Sequence, residues 1–144
     1  MDKDHRTSWK ALPTACLLGS PGTSSEAPGC DHGCPTCRSA IINVSTLLSS
    51  ITTCPENFSV SPMYPYRVSK AALNMLTRCL AEDLKKDGIL VMSLHPGWVQ
   101  TEMGGPKAPL TTAESISGMM KVITSLTEKD TGTLLDWEGK NIPW

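Results

Sequence analysis

The spacing of apolar and polar positions divides the chain into a weakly patterned leader, residues 1–38, and a strongly patterned segment, residues 39–144. The leader is rich in Gly, Pro, Ser, Thr and Cys, a composition that disfavours regular structure. We expect it to be irregular or disordered, with room for one short helix over residues 9–18. The pattern therefore predicts one folded unit behind a loose leader.

Three short apolar runs predict buried parallel strands, because they show little alternation and contain several β-branched side chains. They span residues 40–44, 89–94 and 133–135. Ser45 and Thr46 follow the first run, and Pro96 and Gly97 follow the second. Ligands bind at the C-terminal ends of the strands in such sheets, so we expect these positions to border a reaction site.

The longest predicted helix spans residues 63–86 and carries two apolar stripes with helical spacing. The first stripe consists of Leu73, Leu76, Leu80 and Leu84. The second consists of Ala72, Met75 and Cys79. Two stripes predict a helix that is covered on two sides, by its own sheet and by another element. The preceding residues 52–63 contain two prolines and are predicted to form a loop.

A second helix is predicted over residues 112–126, with Thr111 or Thr112 as its N-cap and Glu114 in its first turn. Its apolar positions, spaced by three and four residues, are Ala113, Ile116, Met120 and Ile123. Strands and helices together predict an α/β fold with a partial doubly wound, Rossmann-like parallel sheet.

The strongest candidate chemistry lies at the start of the first helix, where Tyr66 and Lys70 are four residues apart. This spacing places both side chains on one helical face. An ammonium group beside a phenol stabilises the phenolate, and such a phenol exchanges a proton with a carbonyl or alcohol oxygen. As a bare pair, a half-buried aromatic residue and a solvated lysine are the commoner explanation, so the surrounding sequence decides.

Three stretches, in the same order along the chain, resemble the short-chain dehydrogenase/reductase family, and within it the small carbonyl reductases of the C-factor and sniffer type. They are residues 40–45, 64–74 and 93–105, and residues 137–144 resemble the C-terminus of that subgroup. The resemblance covers residues 39–144, which are therefore expected to form the C-terminal half of a reductase domain. It implies reduction of a small-molecule carbonyl with NADP, and it leaves NAD open.

The resemblance also implies roles for individual residues. Tyr66 would donate the proton, and Lys70 would tune it and hold the nicotinamide ribose. Thr46 lies where the family keeps a catalytic serine, and Ser45 just before it is the other candidate. The residues implied to hold the cofactor are Tyr66, Lys70, Pro96, Gly97, Val99 and Thr101. Residues 104–106 match the mobile substrate lid of the family.

The glycine-rich turn that holds the cofactor pyrophosphate in this family is absent, because no G-x-x-x-G-x-G or G-x-G-x-x-G follows an apolar run in this sequence. We therefore expect a sheet that lacks the N-terminal dinucleotide-binding strands, weak cofactor binding and an inactive isolated chain. The alternative is a catalytically dead, truncated fragment that at most dimerises with full-length relatives. A third hypothesis is a non-functional product of a truncated or rearranged gene. Residues 63–86 are the expected contact in a homo- or hetero-oligomer.

Composition narrows the remaining possibilities. A net charge of −1 gives no basic footprint for nucleic acid, and no apolar run reaches the length of a membrane span. No signal-peptide pattern is present, which predicts a cytoplasmic protein with free thiols. The three cysteines and one histidine of residues 30–37 lie too close together for an ordinary zinc site, so we predict no metal. His95 beside Pro96 is expected to have a structural role rather than a catalytic one.

Overall fold

A computed structural model describes residues 39–144. The predictions for the leader, its helix over residues 9–18 and the thiols of residues 30–37 lie outside the described residues. The described elements, in chain order, are β1 Ala40–Val44, α1 Cys54–Asn57, α2 Tyr64–Asp83, β2 Leu90–His95, α3 Thr112–Ser125 and β3 Leu134–Asp136. Three single 3₁₀ turns cover Leu47–Ser49, Lys85–Asp87 and Glu128–Asp130.

The three strands form one parallel sheet in the order β1-β2-β3, which confirms the predicted fold class. In β1 and β2, Ala40 is paired with Leu90 and Val44 with Leu94. In β2 and β3, His95 is paired with Asp136. Strand β1 is an edge of the sheet within residues 39–144, so its outer backbone groups have no strand partner there.

One face of the sheet packs against α3 through a continuous apolar cluster. Its buried members are Ile42, Leu90, Met92, Leu94, Val122 and Leu135. Val122 belongs to α3, and Met119 and Ile123 of the same helix pack at the edge of the cluster. The stripe predicted for α3 is wrong in part: Ile123 packs against the cluster, but Ile116 and Met120 are exposed, whereas Ser115 and Val122 are buried.

Helix α2 packs against the other face, and its deepest contacts are polar. The buried residues of α2 are Arg67, Asn74, Thr77 and Ala81. The four leucines of the first predicted stripe are half-buried, and the second stripe, Ala72, Met75 and Cys79, is exposed. The pattern thus located the helix correctly but did not identify the side that faces the sheet.

The ends of the helices follow simple rules. Pro65 lies in the first turn of α2, where no backbone N–H is needed, and Gly88 has a φ of 68° after the 3₁₀ turn that follows the helix. Thr111, one of the two predicted N-cap residues, caps α3, and Glu114 in the first turn completes a capping box with it. The predicted loop over residues 52–63 is wrong in part, because α1 forms within it with a proline in its first turn.

Candidate active site

The candidate site lies where β1 ends against α2. The hydrogen-bond ladder continues one residue past β1, because Ser45 N donates to Leu94 O at 2.9 Å. Ser45 and Thr46 are both buried directly after this point. The structure therefore holds both predicted hydroxyl groups at the C-terminal end of the strand.

Tyr66 and Lys70 lie in the first two turns of α2, and both are half-buried. The Lys70 Nζ atom donates to the carbonyl oxygen of Val44 at 2.8 Å, which attaches the lysine to the last residue of β1. Within residues 39–144 the Tyr66 hydroxyl has no hydrogen-bond partner. Two of the three Lys70 N–H donors are also uncommitted there, because only the bond to Val44 is formed.

The two candidate hydroxyl groups differ in whether their protons already form a hydrogen bond within the protein. Ser45 Oγ donates to Asn74 Oδ1 at 2.7 Å, Asn74 Nδ2 donates to Ser49 Oγ at 2.7 Å, and Ser49 Oγ donates to the Thr46 carbonyl at 2.5 Å. The proton of Ser45 is therefore committed to the protein. Thr46 Oγ1 accepts from Leu48 N at 3.3 Å as the N-cap of the 3₁₀ turn. No acceptor for the Thr46 proton lies within the described part of the chain.

A second polar group continues this contact between α2 and the sheet. Asn43 Nδ2 donates to Thr77 Oγ1 at 2.9 Å, and the Thr77 and Ser93 hydroxyls are 2.8 Å apart. Sequence reasoning did not find these residues. A signal for the helix side of this contact was nevertheless present, because Lys70, Asn74 and Thr77 follow a helical spacing of four and three residues.

The turn after β2 is shaped by packing within the protein. The Pro96 carbonyl accepts from Ser115 Oγ at 2.6 Å, and Gly97 has a φ of 84°. A Cβ atom on Gly97 would lie 2.4 Å from Leu110 Cδ1 and 2.9 Å from Trp137 Cδ1. The glycine is thus needed for close contact with Leu110 and Trp137, which the sequence-based interpretation as a ligand contact had not anticipated.

His95, the last residue of β2, is half-buried and its Nδ1 atom is buried without a hydrogen-bond partner in the described residues. Burial lowers the pKa of His95 below its ordinary value, and the charge of Asp136 opposes part of that shift. His95 is therefore held in its neutral form around neutral pH.

The loop after Gly97 contains the other predicted cofactor residues. Val99 forms a parallel bridge with Leu110, and within residues 39–144 its N–H has no acceptor. Its carbonyl accepts only a long bond of 3.4 Å from Thr101 Oγ1, which in turn accepts from Gly104 N at 3.1 Å. The Val99 N–H and C=O have the donor and acceptor character that a carboxamide group requires, and the Gly104 backbone packs closely against that carbonyl.

Residues 104–106, predicted as a mobile lid, are tied into the same loop. Gly105 N donates to the Thr101 carbonyl at 2.8 Å, and the Trp98 indole donates to the Gly104 carbonyl at 2.8 Å.

In the part of the chain that the structure describes, no cluster of His, Cys, Asp or Glu has the arrangement of a metal site. No helix between residues 39 and 144 has the length and apolar character needed to cross a bilayer.

A family model and a known relative both match this chain. Residues 38–110 match the model of the short chain dehydrogenase family. The chain is 39% identical over 122 residues to C-signal of Myxococcus xanthus, covering 85% of this chain and 69% of that protein.

Two solved structures are also similar. The NADPH-bound carbonyl reductase from chicken fatty liver has a TM-score of 0.68 and 46% identity. The carbonyl reductase Sniffer of D. melanogaster has a TM-score of 0.65 and 39% identity. Each match covers 73% of this chain, but only 42% of the chicken protein and 41% of the fly protein. The chain therefore spans about two fifths of the length of these reductases.

Proposed function

The chain belongs to the short-chain dehydrogenase family, and from this premise we propose that its site serves the NADP-dependent reduction of a small-molecule carbonyl. The observation that carries the proposal is the bond from Lys70 Nζ to the Val44 carbonyl at 2.8 Å. It brings the tyrosine–lysine turn of α2 to the strand end that carries Ser45 and Thr46. Lys70 therefore lies at the C-terminal end of a parallel strand, where such sheets bind ligands, and Tyr66 lies one helical turn before it.

We assign a role in this reaction to each side chain. Tyr66 donates a proton to the substrate oxygen, because its hydroxyl is not engaged by any other described residue. Lys70 stabilises the phenolate that remains and retains two N–H donors for a ribose hydroxyl. We assign the hydroxyl that polarises the substrate carbonyl to Thr46 rather than Ser45, because the Ser45 proton is committed to Asn74.

The cofactor half of the site is incomplete in this sequence. NADPH, when bound, supplies the hydride that the side chains cannot supply. Lys70, the backbone of Val99 and the Thr101 hydroxyl would hold its nicotinamide end, with Pro96 and Gly97 shaping the loop that carries them. The sequence has no glycine-rich turn for the pyrophosphate, and charge-assisted hydrogen bonds contribute roughly 1.5–3 kcal/mol each. We expect residues 1–144 alone to bind NADPH no tighter than millimolar.

A second candidate function is binding without catalysis. The outer side of α2 is exposed and apolar, with Val68 and Met75 each 65% accessible to solvent. A catalytically dead fragment that pairs with a full-length relative, or with a second copy, through residues 63–86 would bury this stripe. Two further statements stay predictions. The absence of nucleic-acid partners rests on the net charge, and cytoplasmic residence rests on the lack of a signal-peptide pattern.

The test uses a chimera in which residues 39–144 replace the matching part of the chicken carbonyl reductase, alongside the 144-residue chain. We expect the chimera to reduce carbonyls with NADPH and the chain alone to show no micromolar binding by calorimetry. Tyr66→Phe and Lys70→Met should each lower the rate of the chimera about 100-fold or more, because each removes a group that takes part in proton transfer.

The two losses should not add, because both residues serve one step. Tyr64→Phe is the matched control, since Tyr64 is exposed on the same helix, and it should leave the rate unchanged. A chimera that folds but reduces carbonyls equally well with and without the Tyr66 hydroxyl would disprove the proposed mechanism. Micromolar NADPH binding by the chain alone would instead disprove the incomplete cofactor site.

A further inference from the structure

Arg67, which directly follows Tyr66, is 7% exposed and lies beneath the segment that joins β1 to α2. Its guanidinium donates three hydrogen bonds to backbone carbonyls: Nε to Ser61 at 2.9 Å, Nη2 to Asn57 at 3.0 Å and Nη1 to Leu48 at 3.3 Å. The Phe58 ring lies under the same group, 5.6 Å from its central carbon.

All of the Arg67 partners within residues 39–144 are electrically neutral. A buried charge is usually paired with an opposite charge, because its removal from water is costly. An apolar side chain would fill this space without that cost. What the guanidinium adds is a rigid planar fork, which fixes several acceptors in set directions at once.

The three carbonyls belong to three separate pieces of the connecting segment. Leu48 is in the 3₁₀ turn after β1, Asn57 ends α1, and Ser61 lies just before α2. The turn at Leu48 is held from both sides, because its N–H donates to Thr46 Oγ1 and its carbonyl accepts from Arg67. A single side chain next to Tyr66 therefore fixes the turn that Thr46 caps.

We propose that Arg67 is a positioning residue that holds Thr46 and Tyr66 in one rigid frame by bonding the Leu48, Asn57 and Ser61 carbonyls. The inference rests on the proposed function, since it matters for catalysis only if these two hydroxyls act on one substrate oxygen. It is a statement about geometry, however, and its test needs no turnover.

The test uses the 144-residue chain with Arg67→Lys and Arg67→Met. Neither replacement can reach three carbonyls in different directions, so amide exchange over residues 47–63 should become at least about tenfold faster in both. Exchange over β2 should not change. The NMR signals of the Thr46 methyl and the Tyr66 ring should shift in both variants, with Tyr64 as an internal reference. Arg78→Lys is the matched control: Arg78 lies on the same helix, and within residues 39–144 its side chain bonds only the Gly132 carbonyl, at 3.0 Å.

Uniformly faster exchange, or unchanged Thr46 and Tyr66 signals in a folded Arg67→Lys chain, would overturn the proposal and reduce Arg67 to general packing. If both variants fail to fold, proton exchange in the wild-type chain still tests the proposal. The Arg67 Nε–H proton should exchange with water at least about tenfold more slowly than that of Arg78, and equal rates would refute the fixed fork. An inactive chimera with these results intact would contradict only the proposed function.

Discussion

The two faces of the sheet are built from different chemistry. On the face towards α3, buried contacts are apolar and come from Ile42, Met92, Leu94 and Leu135. On the face towards α2, the same strands present Asn43, Ser45 and Ser93, which bond Asn74 and Thr77 of the helix. The fully buried apolar side chains of Val91 and Leu134 lie on this face beside these polar contacts. Apolar contacts are non-directional and tolerate sliding, whereas hydrogen bonds require defined positions. The polar face therefore fixes where α2 lies along the strands.

This difference explains why the candidate chemistry lies on the α2 side. Lys70, Asn74 and Thr77 are one turn apart, and they bond Val44, Ser45 and Asn43 at the end of β1. A slip of α2 by one turn would break every one of these bonds. The polar contacts thus supply the alignment that the proposed proton transfer needs.

The largest expected effect tests the apolar face. Met92 is fully buried in the apolar cluster, and Met92→Ala should lower the free energy of unfolding by about 2–5 kcal/mol, because a cavity replaces its side chain. Met103→Ala is the matched control, since Met103 is 82% exposed and should lose little. Urea denaturation of the 144-residue chain measures both. Equal losses would mean that the α3 face does not carry the core.

The next effect separates the two hydroxyls on the polar face. In the chimera, Thr46→Ala should lower the rate about 100-fold, because a donor to the substrate oxygen is lost, and Thr46→Ser should keep or raise it. Ser45→Ala should change the rate by less than about tenfold, since its proton is bonded to Asn74. Steady-state kinetics distinguish the cases. If Ser45→Ala abolishes turnover while Thr46→Ala does not, the assignment moves to Ser45.

A smaller effect tests the alignment itself. Thr77→Val keeps the shape of the side chain but leaves the Asn43 amide and the Ser93 hydroxyl without their partner, so stability should fall by about 1–3 kcal/mol. Thr124→Val is the control, because the Thr124 hydroxyl is exposed and, among the described residues, bonds only carbonyls of its own helix. Thermal denaturation compares the pair. A Thr77 variant as stable as the Thr124 variant would show that the polar face contributes no net stability.

The same comparison shows what the sequence could predict. Apolar runs located β1, β2 and β3, and Thr111 with Glu114 located the start of α3, because burial and capping are local properties. The buried side of α2 was missed because apolar periodicity points to its leucines, whereas three of its four buried residues are polar. These three, Arg67, Asn74 and Thr77, form hydrogen bonds with residues that are distant in sequence. Such pairings depend on tertiary structure, so hydropathy alone does not reveal them.

In the candidate site, too, the sequence could propose some residues and not others. Tyr66 and Lys70 could be proposed from spacing and resemblance, because they lie on one helix. The choice between Ser45 and Thr46 could not, since it depends on an acceptor, Asn74, that lies 29 residues further along the chain than Ser45. Arg67 was overlooked for a similar reason, because its three carbonyl partners come from three parts of the connecting segment.

The smallest expected effect concerns His95, which lies at the end of β2 beside the polar contacts. Its pKa is lowered by burial in the folded chain, so between that lowered pKa and about pH 6.5 the unfolded chain binds a proton that the folded chain does not. The free energy of unfolding should therefore be flat above neutral pH and fall as the pH drops through 6.5 towards the lower folded-state pKa.

His95→Gln should flatten this fall, because glutamine does not titrate. Asp136→Asn should steepen it, because Asp136 partly offsets the effect of burial, while an asparagine oxygen still accepts from Glu138 N and Lys140 N. Urea denaturation between pH 5 and 8, in steps of about half a unit, measures all three chains. Parallel curves for wild type and His95→Gln would mean that the imidazole is solvated and that the strand end is open to water.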